Sequence, residues 1–215
     1  RPKATKQQHP KIDWNDVDRK AVPLKVIMMK ASHLKSLHSS HDPDPYCTCA
    51  IPGKKDTLLQ TESKRSLNPE WNAGFLIQEY VPGDSLSFII YDNVWGRDTI
   101  MGKSVLSASK FRHTGFEGQL LLTETGQTQE AYLDIKVVLP LIIKVEILSA
   151  QGLRNTREGS AGTGSSNACC VCKLASLPAS EYTTEAVAST NPVWEDRREL
   201  ECYFRGDSLE FTVYD

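Results

Sequence analysis

The 215-residue sequence lacks the marks of several common protein classes. No stretch approaches the roughly 20 apolar residues that a membrane-spanning helix needs, so an integral membrane protein is not expected. The formal net charge is -2 without a concentrated basic stripe, so nucleic acid is not an expected partner. The Gly-rich run 159–166 has no following Lys-Ser or Lys-Thr, and no Gly-x-Ser-x-Gly motif occurs. We therefore expect no enzyme activity from this chain, while a catalytic domain outside it stays open.

The composition is that of a globular protein. Hydrophobic residues make up 40% and charged residues 24% of the chain, a balance that allows a buried core. The first residue is Arg1 rather than Met, so we expect the sequence to be a piece of a longer protein.

An internal repeat is the strongest feature of the sequence. Residues 68–71 (Asn-Pro-Glu-Trp) recur as 191–194 (Asn-Pro-Val-Trp), and residues 83–86 (Gly-Asp-Ser-Leu) recur as 206–209, both with an offset of 123 residues. The same offset relates the cysteine pair Cys47 and Cys49 to the pair Cys170 and Cys172. It also relates the Tyr-Asp pair at 91–92 to the Tyr-Asp pair at 214–215. Repeats in constant register indicate two copies of one fold.

Within each copy the hydrophobic period is mostly two. Short alternating runs broken by Pro-Gly, Asn-Pro or Gly-Asp predict an all-β, antiparallel, eight-stranded Greek-key β-sandwich. The first copy should contain strands near 23–30, 43–51, 57–62, 71–79, 85–91, 99–106, 118–123 and 131–138. The second should contain only five, near 141–148, 168–175, 181–186, 195–204 and 208–214. Five strands leave open edges, so either the chain continues past Asp215 or another polypeptide supplies the missing strands, and we expect the former.

The order of motifs resembles a C2 domain, the calcium- and phospholipid-binding sandwich of protein kinase C, synaptotagmins and ferlins. The resemblance covers residues 22–215 and is carried by Asp44-Pro45-Tyr46, 67–72, 91–92, 96–98 and 100–102. It implies an N-terminal arm over 1–21, a first C2-like domain over 22–139 and a second over 140–215. A final strand at 131–138, with no alternating strand before Leu24, resembles the second topology of the family.

The resemblance implies a calcium site of five aspartates on two loops, because calcium takes six to eight oxygen ligands. In the first copy Asp44, Asp92 and Asp98 hold three of those positions, and Asp42 is a candidate substitute. His38 stands at another position, and the last falls at Asn93 or Val94. Weak calcium binding and no binding both stay open, because Asp44 and Asp92 could instead cap the loops through backbone amides.

The second copy is poorer in acidic loop residues. Asn167 replaces one carboxylate, the loop 154–166 contains no Asp, and only Asp215 remains. Calcium binding is not expected there. A transition-metal site made from His38, His41, Asp42 and Asp44 is the other metal hypothesis, but the residues have no fixed ligand spacing.

Two further sets of residues are candidates for contact with a membrane or a partner. Val94 and Trp95 are predicted at a loop tip, where Trp favours the lipid interface. Lys54, Lys55, Lys64 and Arg65 could form the basic concave face that engages anionic headgroups in this family, at about 1 kcal/mol per residue. Residues 141–215 hold 11 Asp or Glu against 7 Lys or Arg, which argues against tight binding there.

The cysteines indicate a reducing compartment. Cys47 and Cys49 share one face of a strand, as do Cys170 and Cys172, and neighbours on one strand cannot easily form a disulfide. We therefore expect an intracellular protein, cytoplasmic or peripheral to a membrane.

Three functional hypotheses follow. The first is a non-catalytic docking module that binds phospholipid membranes or protein partners with weak or absent calcium dependence. The second is a structural scaffold subunit of a large assembly. The third is the regulatory region of a lipid-signalling enzyme.

Overall fold

The computed structural model describes residues 21–36, 42–93, 98–154 and 167–215. The chain divides into two compact units, with the division between Pro140 and Leu141. We call the described residues up to Pro140 the first unit and those from 141 to 215 the second unit. Within the described residues, no helix has the length and apolar character needed to cross a membrane.

The first unit is a sandwich of two four-stranded antiparallel sheets. Its strands are β1 (Val22–Ser32), β2 (Pro45–Ala50), β3 (Leu59–Gln60), β4 (Glu70–Tyr80), β5 (Leu86–Asp92), β6 (Thr99–Leu106), β7 (Phe116–Leu121) and β8 (Tyr132–Val138). One sheet has the order β4-β1-β8-β7 and the other β3-β2-β5-β6. A 3-10 turn (Lys55–Thr57) and a short helix α1 (Ala108–Phe111) complete the unit.

The period of two predicted from the sequence is confirmed in the core. Leu86, Phe88 and Ile90 of β5 are fully buried, whereas the residues between them are half-exposed. Alternate residues of a strand point to opposite faces of its sheet, so each strand contributes one apolar row to the space between the sheets. The all-β class and the eight-stranded sandwich are therefore confirmed.

One predicted strand is shorter than expected. The pattern predicted a strand over 57–62, but the structure has a 3-10 turn followed by the two residues of β3. Thr57 Oγ1 accepts from the Ile51 amide at 2.9 Å and donates to the Lys54 carbonyl at 2.7 Å. These bonds close a tight turn at the position where the alternation suggested an extended chain.

The antiparallel order places four connections at one end of the first unit. β1 ends and β2 begins at this end, and the connections there are 33–44, 61–69, 93–98 and 122–131. We call it the apical end. The connection 51–58 lies at the opposite end, after β2.

The second unit repeats the first five strands. Its strands are β9 (Leu141–Ser149), β10 (Asn167–Leu174), β11 (Leu177–Thr183), β12 (Val187–Ala188), β13 (Val193–Tyr203) and β14 (Leu209–Tyr214). β13 pairs with β9, while β10 pairs with β11, β12 and β14. The five predicted strands are present, and β12 is a short addition that pairs with the start of β10.

Hydrogen bonds confirm the register of the repeat. The Trp71 indole donates to the Pro45 carbonyl at 3.3 Å, and Trp194 donates to the Ala168 carbonyl at 3.2 Å, with an offset of 123 on both sides. Before the first apical loop the offset is 119. The Ala31 amide donates to the Pro69 carbonyl, and the equivalent bond of the second unit joins the Ala150 amide to the Pro192 carbonyl. The four extra residues of the second copy therefore fall between the end of β9 and the start of β10.

Candidate functional site at the apical loops

The apical end brings together three of the predicted carboxylates. Asp44 immediately precedes β2, Asp92 is the last residue of β5, and Asp98 immediately precedes β6. β2 pairs with β5 so that Pro45 lies opposite Asp92, and β5 pairs with β6 so that Asp92 lies opposite Thr99. The fold therefore places the three aspartates at neighbouring ends of adjacent strands.

Asp92 joins the first apical loop to the third. Its side chain is fully buried, and Oδ1 accepts from the Asp44 amide at 2.8 Å. The Asn93 amide then donates to the Asp44 carbonyl at 3.2 Å, which extends the connection by one residue. A buried carboxylate that accepts a backbone N–H holds the chain in one geometry, because breaking the bond would leave a polar group unsatisfied.

The Asp44 carboxylate is held by neighbours on the other two loops. Asp44 Oδ2 accepts from the Ser63 hydroxyl at 2.9 Å and lies 3.5 Å from Asn93 Nδ2. Asn93 Nδ2 also lies 3.4 Å from Ser63 Oγ. Asp44, Ser63 and Asn93 therefore link all three loops by hydrogen bonds, and the sequence did not indicate Ser63.

Asp98 is held by a tyrosine. The Tyr46 hydroxyl donates to Asp98 Oδ2 at 2.9 Å, and the Tyr46 ring stacks on Tyr91 with centroids 5.4 Å apart. Burial, together with this bond, raises the pKa of Tyr46 to about 12, so the phenol remains a donor at physiological pH. Tyr46 follows directly after Asp44-Pro45 in the chain, which is the one sequence signal that could have identified it.

The remaining loop candidates are placed differently. Asp42 is exposed. His38, His41, Val94 and Trp95 lie outside the described residues, so the predictions for a transition metal and for loop-tip contact stay predictions.

Within the described residues, the donor set supplies fewer carboxylates than a five-carboxylate calcium site requires. The carboxylates of Asp44, Asp92 and Asp98 each accept a hydrogen bond from the loops or from β2, and the fourth, Asp42, is exposed. Calcium would need six to eight oxygens converging on one point. Within the described ranges, no group of three or more His, Cys, Asp or Glu could hold a metal ion.

The second unit has the equivalent hydrogen bond between its loops, although Asn167 stands there in place of the acidic Asp44. Asp215 Oδ1 accepts from the Asn167 amide at 2.6 Å, as Asp92 does from Asp44. The aspartate after the fifth strand therefore makes the same contact whether its partner residue is Asp or Asn, which is the behaviour of a loop cap.

The four basic candidates do not lie side by side. Lys54 and Lys55 follow β2 at the end opposite the apical loops, where Lys54 Nζ lies 2.7 Å from Asp84 Oδ2. Lys64 and Arg65 are exposed in the apical connection after β3, and the Lys64 amide donates to the Pro45 carbonyl. The six residues of β2 separate the two pairs by roughly 20 Å at 3.3 Å per residue, so the pairs lie at opposite ends of this strand. Their contact with a membrane or a partner stays a prediction.

The cysteines of each β2-type strand are buried in the core. Cys47, Cys49 and Cys172 are fully buried, Cys170 is nearly so, and all are free thiols. Burial raises the pKa of Cys49 to about 12 and that of Cys47 well above its usual value. These thiols therefore pack as apolar residues.

Comparison with known proteins agrees with this architecture. The family model of the C2 domain matches residues 23–122 and 141–215. The first C2 domain of a plant extended synaptotagmin 1 is similar in structure, with a TM-score of 0.50 and 24% identity, over 55% of this chain and 94% of that chain. This likeness describes the fold alone.

Two larger solved structures also resemble the chain. The paired C2 domains of extended synaptotagmin 2, in a calcium-bound structure, have a TM-score of 0.47 and 16% identity over 91% of this chain and 79% of that chain. Human GIVD cytosolic phospholipase A2 has a TM-score of 0.46 and 14% identity over 91% of this chain and 29% of that chain. A search among curated protein sequences finds no match.

Proposed function

The chain belongs to the C2 domain family, and on that premise we propose that it is a non-catalytic docking module with weak or absent calcium dependence. C2 domains commonly bind membranes or proteins, and a docking role requires only a rigid scaffold with exposed loops. The observation that carries the proposal is the bonding of Asp44, Asp92 and Asp98 to the loops and strands around them.

The hydrogen bonds explain how the loops could be ordered without an ion. In a calcium-dependent loop set, the cation offsets the repulsion of clustered carboxylates. Here the Ser63 hydroxyl donates to the Asp44 carboxylate, and the Asp44 amide donates to the Asp92 carboxylate. The Asn93 amide donates to the Asp44 backbone carbonyl. The described part of the apical end is then held by hydrogen bonds before it meets a membrane or a partner.

Co-sedimentation with vesicles tests the proposal. The 215-residue chain is mixed with phosphatidylcholine vesicles, with and without phosphatidylserine, in calcium or in chelator. We expect the bound fraction to be the same in calcium and in chelator, and to fall with added salt if Lys64 and Arg65 contribute, since such attractions are screened. Binding that requires calcium would overturn the proposal of weak or absent dependence.

A scaffold subunit of a larger assembly is the second candidate. The excess of acidic residues over 141–215 supports it, because that unit should be repelled by anionic lipid. Sedimentation with neither type of vesicle would favour this role. The free buried thiols support a reducing compartment, whether the chain is a docking module or a scaffold subunit.

A further inference from the structure

The outer edge of β4 contains a straight run between two bulges. Ala73 to Ile77 pair with β1 without a register shift, and the shifts on either side fall at 71–72 and 78–79. Within the part of the chain that the structure describes, no strand pairs with the other edge of β4. The run is centred on Phe75, and the unpaired N–H and C=O groups of such an edge are a template for an added strand.

The two units differ in how this edge is protected. The equivalent run of β13 is 196–200, which also lies between two register shifts. It reads Asp-Arg-Arg-Glu-Leu, whereas 73–77 reads Ala-Gly-Phe-Leu-Ile. Arg197 in the charged run forms an ion pair with Glu146 on the neighbouring strand. Charged side chains on an edge strand discourage strand addition, so the second unit has this protection and the first unit lacks it.

Gly74 stands in this run without an internal reason for a glycine. Its backbone is not in the left-handed region, and an added Cβ would meet only Ile27 Cγ1, at the ordinary contact distance of 3.8 Å. A glycine inside a strand weakens the strand and often marks a place where another backbone approaches closely. Because Gly74 is exposed, such an approach comes from outside the unit.

Beside this edge, the two sheets leave a cavity of about 370 Å³ between β3 and β4. Its lining includes one acid and one base, Glu62 and Lys64, and both are exposed. None of the ion pairs between described residues involves either of them. A surface with both charges complements its own copy across a two-fold axis, because the acid of each copy can then meet the base of the other.

We infer that two copies of this chain associate through the outer edges of β4, antiparallel about a two-fold axis at Phe75. This register uses the whole straight run, because the two bulges lie at equal distances from Phe75 along the chain. It places Gly74 opposite Leu76 of the second copy, where the missing side chain leaves room for the leucine. Ala73 then lies opposite Ile77 of the second copy.

Charge favours a second copy at β4 and disfavours one at β13. The run 73–77 carries no charge, so no like charges face each other in this register. The equivalent register of β13 would place Arg198 opposite Arg198 of the second copy, and like charges directly opposite each other destabilise a strand pair. The edge of β4 therefore fits an uncharged extended strand, and the chain supplies one in 73–77 itself.

Sedimentation equilibrium of the 215-residue chain tests the inference. We expect a monomer–dimer equilibrium between micromolar and near-millimolar concentration, because an interface built on one strand lies at the low end of the size range. Amide hydrogen exchange should slow at 73–77 as the concentration rises. A chain that stays monomeric would overturn the inference. So would concentration-dependent protection at 209–214 instead of 73–77, which would assign the association to the edge of β14.

A lysine on the edge should separate the two copies. Gly74→Lys should weaken dimerisation about tenfold or more, because it disturbs two symmetric positions near the centre of the interface. Leu76→Lys should do the same from the opposite position. The matched control is Leu121→Lys, which changes an exposed apolar residue on β7, the other outer strand of the same sheet. Equal dimerisation by the β4 and β7 variants would refute the assignment to β4.

A charge swap tests the two-fold arrangement. Lys64→Glu should weaken dimerisation about two- to tenfold, because it replaces two exposed ion pairs by like charges. Glu62→Lys combined with Lys64→Glu should restore the parent dissociation constant to within about twofold, since the swapped charges again complement each other. A double variant as weak as the single one would contradict pairing of these residues between copies.

The inference is independent of the docking role proposed above. The vesicle experiment reports on calcium and lipid, whereas sedimentation reports on the edge of β4. A dimer that needs calcium to bind vesicles would overturn only the proposed calcium independence. A monomer that binds vesicles equally in calcium and in chelator would overturn only the association of two copies.

Discussion

Removal of the Asp92 carboxylate should destabilise the first unit even when no calcium is present. Asp92 is fully buried, and its Oδ1 accepts the Asp44 amide at 2.8 Å. A hydrogen bond to a charged group contributes about 1.5–3 kcal/mol, and its loss leaves a partly buried N–H unsatisfied. We therefore expect Asp92→Ala to lower the free energy of unfolding by about 2–3 kcal/mol.

The expected loss of unfolding free energy corresponds to a fall in melting temperature that depends on the size of the unit. At roughly 4 °C per kcal/mol for a unit of this length, Asp92→Ala should lower the melting temperature of the first unit by about 8–12 °C. Asp92→Asn keeps an acceptor oxygen, so its effect should be about half as large or smaller. The measurement is thermal unfolding followed by circular dichroism in chelator, repeated after calcium is added.

Exposed aspartates serve as controls. Asp42→Ala should leave the melting temperature of the first unit unchanged, and Asp215→Ala, whose bond to Asn167 is exposed, should act only on the second unit. The reasoning would be refuted if Asp92→Ala melted like the parent protein in chelator and lost only a calcium-induced rise. That result would assign Asp92 to ion binding, because a bound ion stabilises the folded state by mass action.

Two further predictions concern the loop tip and alkaline pH. Trp95→Ala should weaken vesicle binding while leaving the melting temperature nearly unchanged, because loop-tip insertion needs the side chain only at the membrane. A large loss of stability in a thermal melt would instead identify Trp95 as a packing residue. The first unit should also lose stability as the pH rises above about 9, because the Cys49 thiol ionises there in the unfolded chain while its pKa in the folded protein is about 12. Urea unfolding should show a loss of about 1 kcal/mol from this thiol between about pH 8 and 10, and Cys49→Ala should reduce the slope, so an unchanged slope in that variant would contradict the assignment.

The strands were predictable because their signal is local. Alternation of apolar residues along β5 reports which face is buried, and turn residues such as Gly83 mark where the strand direction reverses. The repeat with an offset of 123 then assigned the same order of strands to the second copy. The short β3 was missed because hydroxyl bonds of Thr57, and not apolar spacing, determine where the preceding turn closes.

The sequence alone determined the fold family, the two copies and the three aspartates at the loops, since each depends on residue type at a fixed spacing. Only the tertiary structure decided what those aspartates contact, because Ser63 and Tyr46 reach them across loops and strands that are far apart in the chain. It also decided that Lys54 and Lys64 lie at opposite ends of β2. The cavity beside Phe75 exists because two sheet edges meet in space, which no pattern along one strand can express.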